Sequence, residues 1–88
     1  MNFKNKKILI TGGTGSFGST VLRKFHDIDI EEIRILSRDE KKQDDLRRKY
    51  QDPKIKFFIG DVREPKSIDE AMENVNLVFH THDPLAMI

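Results

Sequence analysis

Residues whose type and spacing could do chemistry fall in three places along this 88-residue chain. The first is a run of glycines. Gly12, Gly13, Gly15 and Gly18 follow directly on the apolar run Ile8-Leu9-Ile10 and Thr11. They satisfy two registers, Gly12-x-x-Gly15-x-x-Gly18 and Gly13-x-Gly15-x-x-Gly18. Both make the same physical demands. An early glycine permits a tight turn, Gly15 lets backbone approach a ligand, and Gly18 lets a helix pack closely on a strand. Alone the pattern is weak. Between a strand and a helix N-terminus it becomes a seat for a pyrophosphate, because backbone N–H groups from Thr14 to Phe17 (Thr14, Gly15, Ser16, Phe17) would point at the phosphates with the positive helix end behind them.

The second place is Ser37-Arg38, with Lys42 one helical turn on. A site for NAD usually carries Asp or Glu here, to accept from the ribose 2′-hydroxyl. A serine hydroxyl with two cations instead suits a 2′-phosphate, since guanidinium pairs with phosphate in a fork. NADP is therefore expected over NAD, although Asp39 and Glu40 stand close enough to oppose an anion. The third is Asp61-Val62, after an apolar run. In a nucleotide-binding sheet that loop borders the adenine. The acid could accept from the adenine amino group and Val62 could pack on the ring.

Other patterns carry less. Tyr50 and Lys54 have a Tyr-x-x-x-Lys spacing, but Pro53 intervenes and both fall where a helix gives way to a strand, so they do not share a helical face. His80, His82 and Asp83 are two imidazoles and one acid without further ligands, too few for a metal site. His26 falls at a helix C-terminus, where it would interact with the dipole. No catalytic residue and no metal ligand is assigned.

The elements that must position these residues alternate. Strands are expected at 6–11, 33–36, 55–59 and 77–80. Helices are expected at 16–26, 39–50 and 65–74. Gly18, Val21, Leu22 and Phe25 form one face of the first helix. The polar second helix offers only Leu46 and Tyr50 for burial, with Asp44/Arg48 and Asp45/Lys49 as i,i+4 pairs. Ser67 and Glu70 have capping-box spacing at the third, whose apolar face is Ile68, Ala71, Met72 and Val75. Short connections and right-handed crossovers then predict an α/β fold: half of a doubly wound Rossmann fold, a parallel sheet of order 3-2-1-4 with β-α-β-α-β-α-β topology. A ligand belongs at the carboxyl ends of the strands, where the order reverses.

Composition bounds the rest. The chain is 36% apolar and 35% charged, with 16 basic against 15 acidic side chains and no cysteine. A net charge of +1 provides no basic field for nucleic acid. Without cysteine there is neither disulfide framework nor thiolate metal site. The short apolar run after the N-terminus predicts neither signal peptide nor membrane span, and a cytoplasmic location is expected.

The segments ITGGTGSFG, SRDEKKQ, Gly60-Asp61-Val62-Arg63 and VFH together closely resemble the N-terminus of the UDP-N-acetylglucosamine 4,6-dehydratases. These are extended short-chain dehydrogenase/reductases of bacterial capsule, O-antigen and flagellin-sugar biosynthesis. The resemblance covers about residues 6–80. It implies an NADP that takes a hydride from the sugar and returns it. Gly12, Gly15, Ser16, Phe17 and Gly18 match the family's phosphate turn, Ser37, Arg38 and Lys42 its 2′-phosphate clamp, and Asp61 and Val62 its adenine-side pair. After His80 the sequence departs. The family continues His-Ala-Ala-Ala, whereas here Thr81 precedes His82-Asp83-Pro84-Leu85-Ala86-Met87-Ile88. A missing loop after Thr81, and a missing catalytic and sugar-binding part after Ile88, are implied. The chain is then expected to be one N-terminal nucleotide-binding portion, inactive in dehydration by itself, with a UDP-sugar partner only when the remainder is present. Two alternatives are a stand-alone nucleotide-binding module and a non-catalytic remnant that forms homo-oligomers through the open edge of the fourth strand.

Overall fold

The computed structural model describes residues 3–12 and 16–80, with the side chains of Ser16 and Phe17 excepted. Four strands and three helices alternate: β1 (Lys7–Thr11), α1 (Ser16–His26), β2 (Glu32–Ser37), α2 (Glu40–Tyr50), β3 (Ile55–Ile59), α3 (Pro65–Met72) and β4 (Leu77–His80). The sheet order is β3-β2-β1-β4, and every pairing is parallel. This is the Rossmann-like order the sequence predicts.

The central strands β1 and β2 are buried on both faces, as strands covered on both sides are, whereas the edge strands β3 and β4 keep exposed positions such as Ile59 and Val78. Ile8, Ile10, Ile33, Ile35 and Ile55 pack with Leu22 and Ile30 on one face, joined by Val21 and Phe25 of α1 and Leu46 and Tyr50 of α2. Burying a side chain as fully as Leu22 stabilises by about 1.5–3 kcal/mol. On the other face Leu9 and Leu36 meet Ala71 of α3, with Phe58, Val62, Ile68 and Val75 against them.

Two buried polar residues complete the packing. Arg34, on the α3 face, donates from Nη1 to the Ala71 carbonyl at 2.9 Å and from Nε to Glu32 at 2.6 Å. Gln43, on the otherwise polar α2, is 1% exposed. Its Nε2 donates to the Phe58 carbonyl at 2.9 Å and the Ser37 carbonyl at 3.3 Å, tying α2 to the ends of β2 and β3. Its Oε1 has no partner.

Some local expectations need correction. Ser67 and Glu70 form no capping box. Glu64 is the N-cap of α3, without a side-chain bond, and Pro65 supplies the preset first turn. Ser67 lies inside the helix. The helix also ends at Met72 rather than Asn74, and Asn74 takes φ 63° in the turn that follows. Met72 is 39% exposed, so it contributes little to the apolar face. On α2, Arg48 pairs with Asp44 at 2.9 Å, whereas Lys49 lies over the Tyr50 ring at 5.6 Å.

Candidate functional site

Parallel strands deliver all their C-terminal residues to one end of the sheet. Three described loops therefore start together, Gly12 after β1, Arg38 after β2 and Gly60-Asp61-Val62 after β3, and β4 ends beside them at His80. Cross-links hold this end in register. Gly12 N donates to the Leu36 carbonyl at 2.8 Å and Gly60 N to the Ser37 carbonyl at 3.0 Å. Thr11 Oγ1 and His80 Nδ1 lie 2.7 Å apart, joining β1 to β4 where the strand order reverses.

Gly12 opens the first loop with φ 68°, a left-handed backbone that glycine adopts without a Cβ penalty. Gly13, Thr14 and Gly15 lie outside the described residues. Ser16 and Phe17 begin α1, and Gly18 is buried in its first turn. A strand therefore ends before the glycine pattern and a helix starts within it, the flanking elements that the pattern requires.

The second loop turns at once. Ser37 Oγ accepts from Asp39 N at 2.9 Å, and Asp39 Oδ1 accepts from Lys42 N at 3.0 Å as the N-cap of α2. The Asp39 carboxylate is thus the N-cap of α2, and its negative charge stays beside Arg38. Ser37 is buried at the strand end, while Arg38 and Lys42 are exposed.

The third loop meets the second through charge. Asp61 Oδ2 lies 3.5 Å from Arg38 Nη1, so the candidates for the 2′-phosphate and for the adenine adjoin. Asp61 is held more tightly by Arg63, which sequence reasoning left without a role. Arg63 Nε reaches both carboxylate oxygens at 3.0 Å, Nη2 reaches Oδ2 at 2.6 Å, and Arg63 N donates to Oδ1 at 2.9 Å. These bonds lower the Asp61 pKa from 3.8 to about 2 and raise that of Arg63. The side chain of Asp61 is 14% exposed, against 70% for Arg38 and 73% for Arg63. The signal for Arg63 was its place two residues after an acid in a tight turn. Val62 points inward, partly buried against the Leu9, Leu36 and Ala71 cluster.

Gly60 sets how closely α3 approaches this loop. A Cβ on it would stand 2.5 Å from Ser67 Oγ and 2.7 Å from Ser67 Cβ. Ser67 is thus the small residue beneath the Asp61 loop.

The remaining patterns lie elsewhere. Tyr50, Lys54 and His26 gather at the opposite end of the sheet. There His26 Nε2 meets Asp52 Oδ2 at 2.9 Å and Lys54 Nζ donates to the His26 carbonyl at 3.1 Å. The Asp52 carboxyl is held below its ordinary range, first by the Lys54 backbone N–H; burial opposes this, and His26 adds to it. His26 is thus a hydrogen-bond partner of Asp52 and a ring partner of Tyr50 as well as a helix-end residue. His82 and Asp83 lie outside the described residues. No helix among the described residues is long and apolar enough to cross a membrane.

The chain is similar to known proteins in sequence and in fold. The chain is 61% identical over 82 residues to a protein named UDP-glucose 4-epimerase from Rickettsia rickettsii (strain Sheila Smith), covering 89% of this chain and 24% of that protein. A protein of the same name from Rickettsia felis is 62% identical over the same shares. The chain therefore spans about a quarter of the length of these relatives. Among solved structures, Pen from Bacillus thuringiensis superposes with a TM-score of 0.87 at 38% identity, over 93% of this chain and 25% of that one. WbmF of Bordetella bronchiseptica, solved in complex with NAD+, has a TM-score of 0.71 at 16% identity, over 96% of this chain and 28% of that one, a likeness of fold. The sequence profile for polysaccharide biosynthesis proteins matches residues 8–83, most of the chain, and the chain belongs to that family.

Proposed function

We propose that this chain is the N-terminal, NADP-gripping portion of a nucleotide-sugar enzyme of the extended short-chain dehydrogenase/reductase type. The observation that carries this reading is the meeting of Arg38 and Asp61 at the carboxyl end of the sheet, beside a buried serine where an NAD site has an acid. The residues present fit such a cofactor. Gly12 has the backbone a phosphate turn needs, Gly18 is buried in the first turn of α1, and Arg38 presents an exposed guanidinium. In this reading Gly12, Thr14, Gly15, Ser16, Phe17 and Gly18 hold the pyrophosphate. Ser37, Arg38 and Lys42 hold the 2′-phosphate, and Asp61 and Val62 border the adenine. The bound nicotinamide would supply reversible hydride acceptance from a sugar carbon. This chain's own part is to bind and orient the adenosine end.

The resemblance to the 4,6-dehydratases supports dehydration of a UDP-N-acetylhexosamine by the whole enzyme, in a cytoplasmic pathway to a surface polysaccharide. The relatives' name supports a second reading, epimerisation at C4 of a UDP-hexose. The products separate the two. The intact enzyme carrying this segment yields a 4-keto-6-deoxy sugar in the first and a C4-inverted sugar in the second. Cofactor binding is tested by calorimetric titration of the 88-residue chain with NADP and NAD. Tighter NADP supports the reading, and equal or tighter NAD contradicts it. Self-association through β4 is a separate reading, and a clean monomer in sedimentation at high concentration removes it.

A further inference from the structure

Asp61 faces two guanidinium groups and shares them unequally. Arg63 reaches it with three side-chain contacts of 2.6–3.0 Å and one backbone N–H at 2.9 Å. Arg38 touches it with one nitrogen at 3.5 Å. An ionised carboxylate offers about four acceptor positions. Arg63 uses nearly all of them, in the forked geometry that makes arginine–carboxylate pairs strong. What is left for Arg38 is a loose contact at the edge of the carboxylate, and its side chain stays 70% exposed.

We infer that Arg63 is a specificity residue acting through Asp61: by saturating that carboxylate it keeps Arg38 available for a ligand's 2′-phosphate. Without Arg63, Asp61 would have Arg38 as its remaining cation. An internal ion pair would then compete with the phosphate for the same guanidinium, in its preferred forked geometry. Arg63 is a positioning residue here and touches no part of the ligand.

This inference rests on the reading of Arg38 as the 2′-phosphate ligand, and its test separates the two failures. The probes are adenosine 2′,5′-bisphosphate and 5′-AMP, which differ by the 2′-phosphate alone. Both are titrated by NMR against the 88-residue chain, and the readout is the ratio of their dissociation constants. The wild type should prefer the bisphosphate, and Arg38→Ala should abolish that preference. If the wild type binds both alike, or neither, the 2′-phosphate reading falls and the inference with it. With that reading intact, Arg63→Met should cut the preference about threefold, the scale of an exposed ion pair. Arg63→Lys should cut it less, because lysine neutralises Asp61 without the fork. The deciding arm is the Asp61→Asn background, where no carboxylate competes for Arg38. There Arg63→Met should leave the preference unchanged. A preference unmoved by Arg63→Met in the wild-type background overturns the inference. So does a loss of equal size in both backgrounds, which would make Arg63 a direct ligand or a mere nearby charge.

Discussion

Gly60→Ala is the sharpest probe of how the site loop is built. The added Cβ would sit 2.5 Å from Ser67 Oγ, 2.7 Å from Ser67 Cβ and 3.2 Å from Leu36 Cδ1. The hydroxyl can rotate away at little cost. The Ser67 Cβ cannot, because it is fixed to the backbone of α3. Leu36 is 1% exposed and has little room to yield. The helix must therefore retreat by about 0.7 Å to restore ordinary contact, an overpacking that costs about 1–3 kcal/mol. In a domain of this size each kcal/mol lowers Tm by about 4–8 °C. Thermal and urea denaturation followed by circular dichroism would read this directly. A second variant guards the mechanism. Ser67→Gly removes the obstructing carbon, at about 1 kcal/mol of helix propensity. Combined with Gly60→Ala it should recover at least about 1 kcal/mol relative to the sum of the single variants. Gly60→Ala melting within a degree of wild type, or strict additivity in the double variant, would refute the close approach of α3 to the Gly60 backbone.

Gln43→Leu should destabilise by about 1–3 kcal/mol in urea titration, because the Phe58 and Ser37 carbonyls lose a buried donor. The unpartnered Oε1 that leaves with it holds the cost toward the lower end. The Asp61 carboxyl should titrate near pH 2 by carbon NMR, and Arg63→Met should move it toward the ordinary 3.8, since the Arg63 side chain is the leading cause of the depression. Its folded pKa lies below its unfolded one. The stabilisation it contributes is therefore full above about pH 4–5 and fades as pH falls toward 2. A wild-type midpoint near 4 would contradict the forked Arg63 pairing.

The order of elements was legible because local signals agreed with global ones. Apolar runs of strand length alternated with helix-period stretches, and the third strand, first helix and fourth strand fall where the pattern put them. The less legible features are polar groups that serve packing. Gln43 sits on a helix of charges, and hydrophobic periodicity cannot see an amide buried to satisfy strand-end carbonyls. Arg34 alternates correctly for a residue facing α3, yet nothing local says that a carbonyl waits there. The Ser67–Glu70 spacing misled because the same spacing occurs inside any helix. Pro65 was the stronger start signal, and Ser67 is small because Gly60 lies over it. At the candidate site, residue types marked Arg38 and Asp61 as separate candidates for ligand contact. Their proximity, and the hold of Arg63 on Asp61, needed the sheet to bring the ends of β2 and β3 together.

The central claim is that the carboxyl end of this sheet is built for a 2′-phosphorylated dinucleotide through Arg38. The direct measurement is the affinity of the chain and of its Arg38→Ala variant for NADP and for NAD. One charge-assisted contact is worth about 1.5–3 kcal/mol, so the variant should lose about 10- to 150-fold in NADP affinity and little in NAD affinity. Equal losses for the two cofactors would contradict the account.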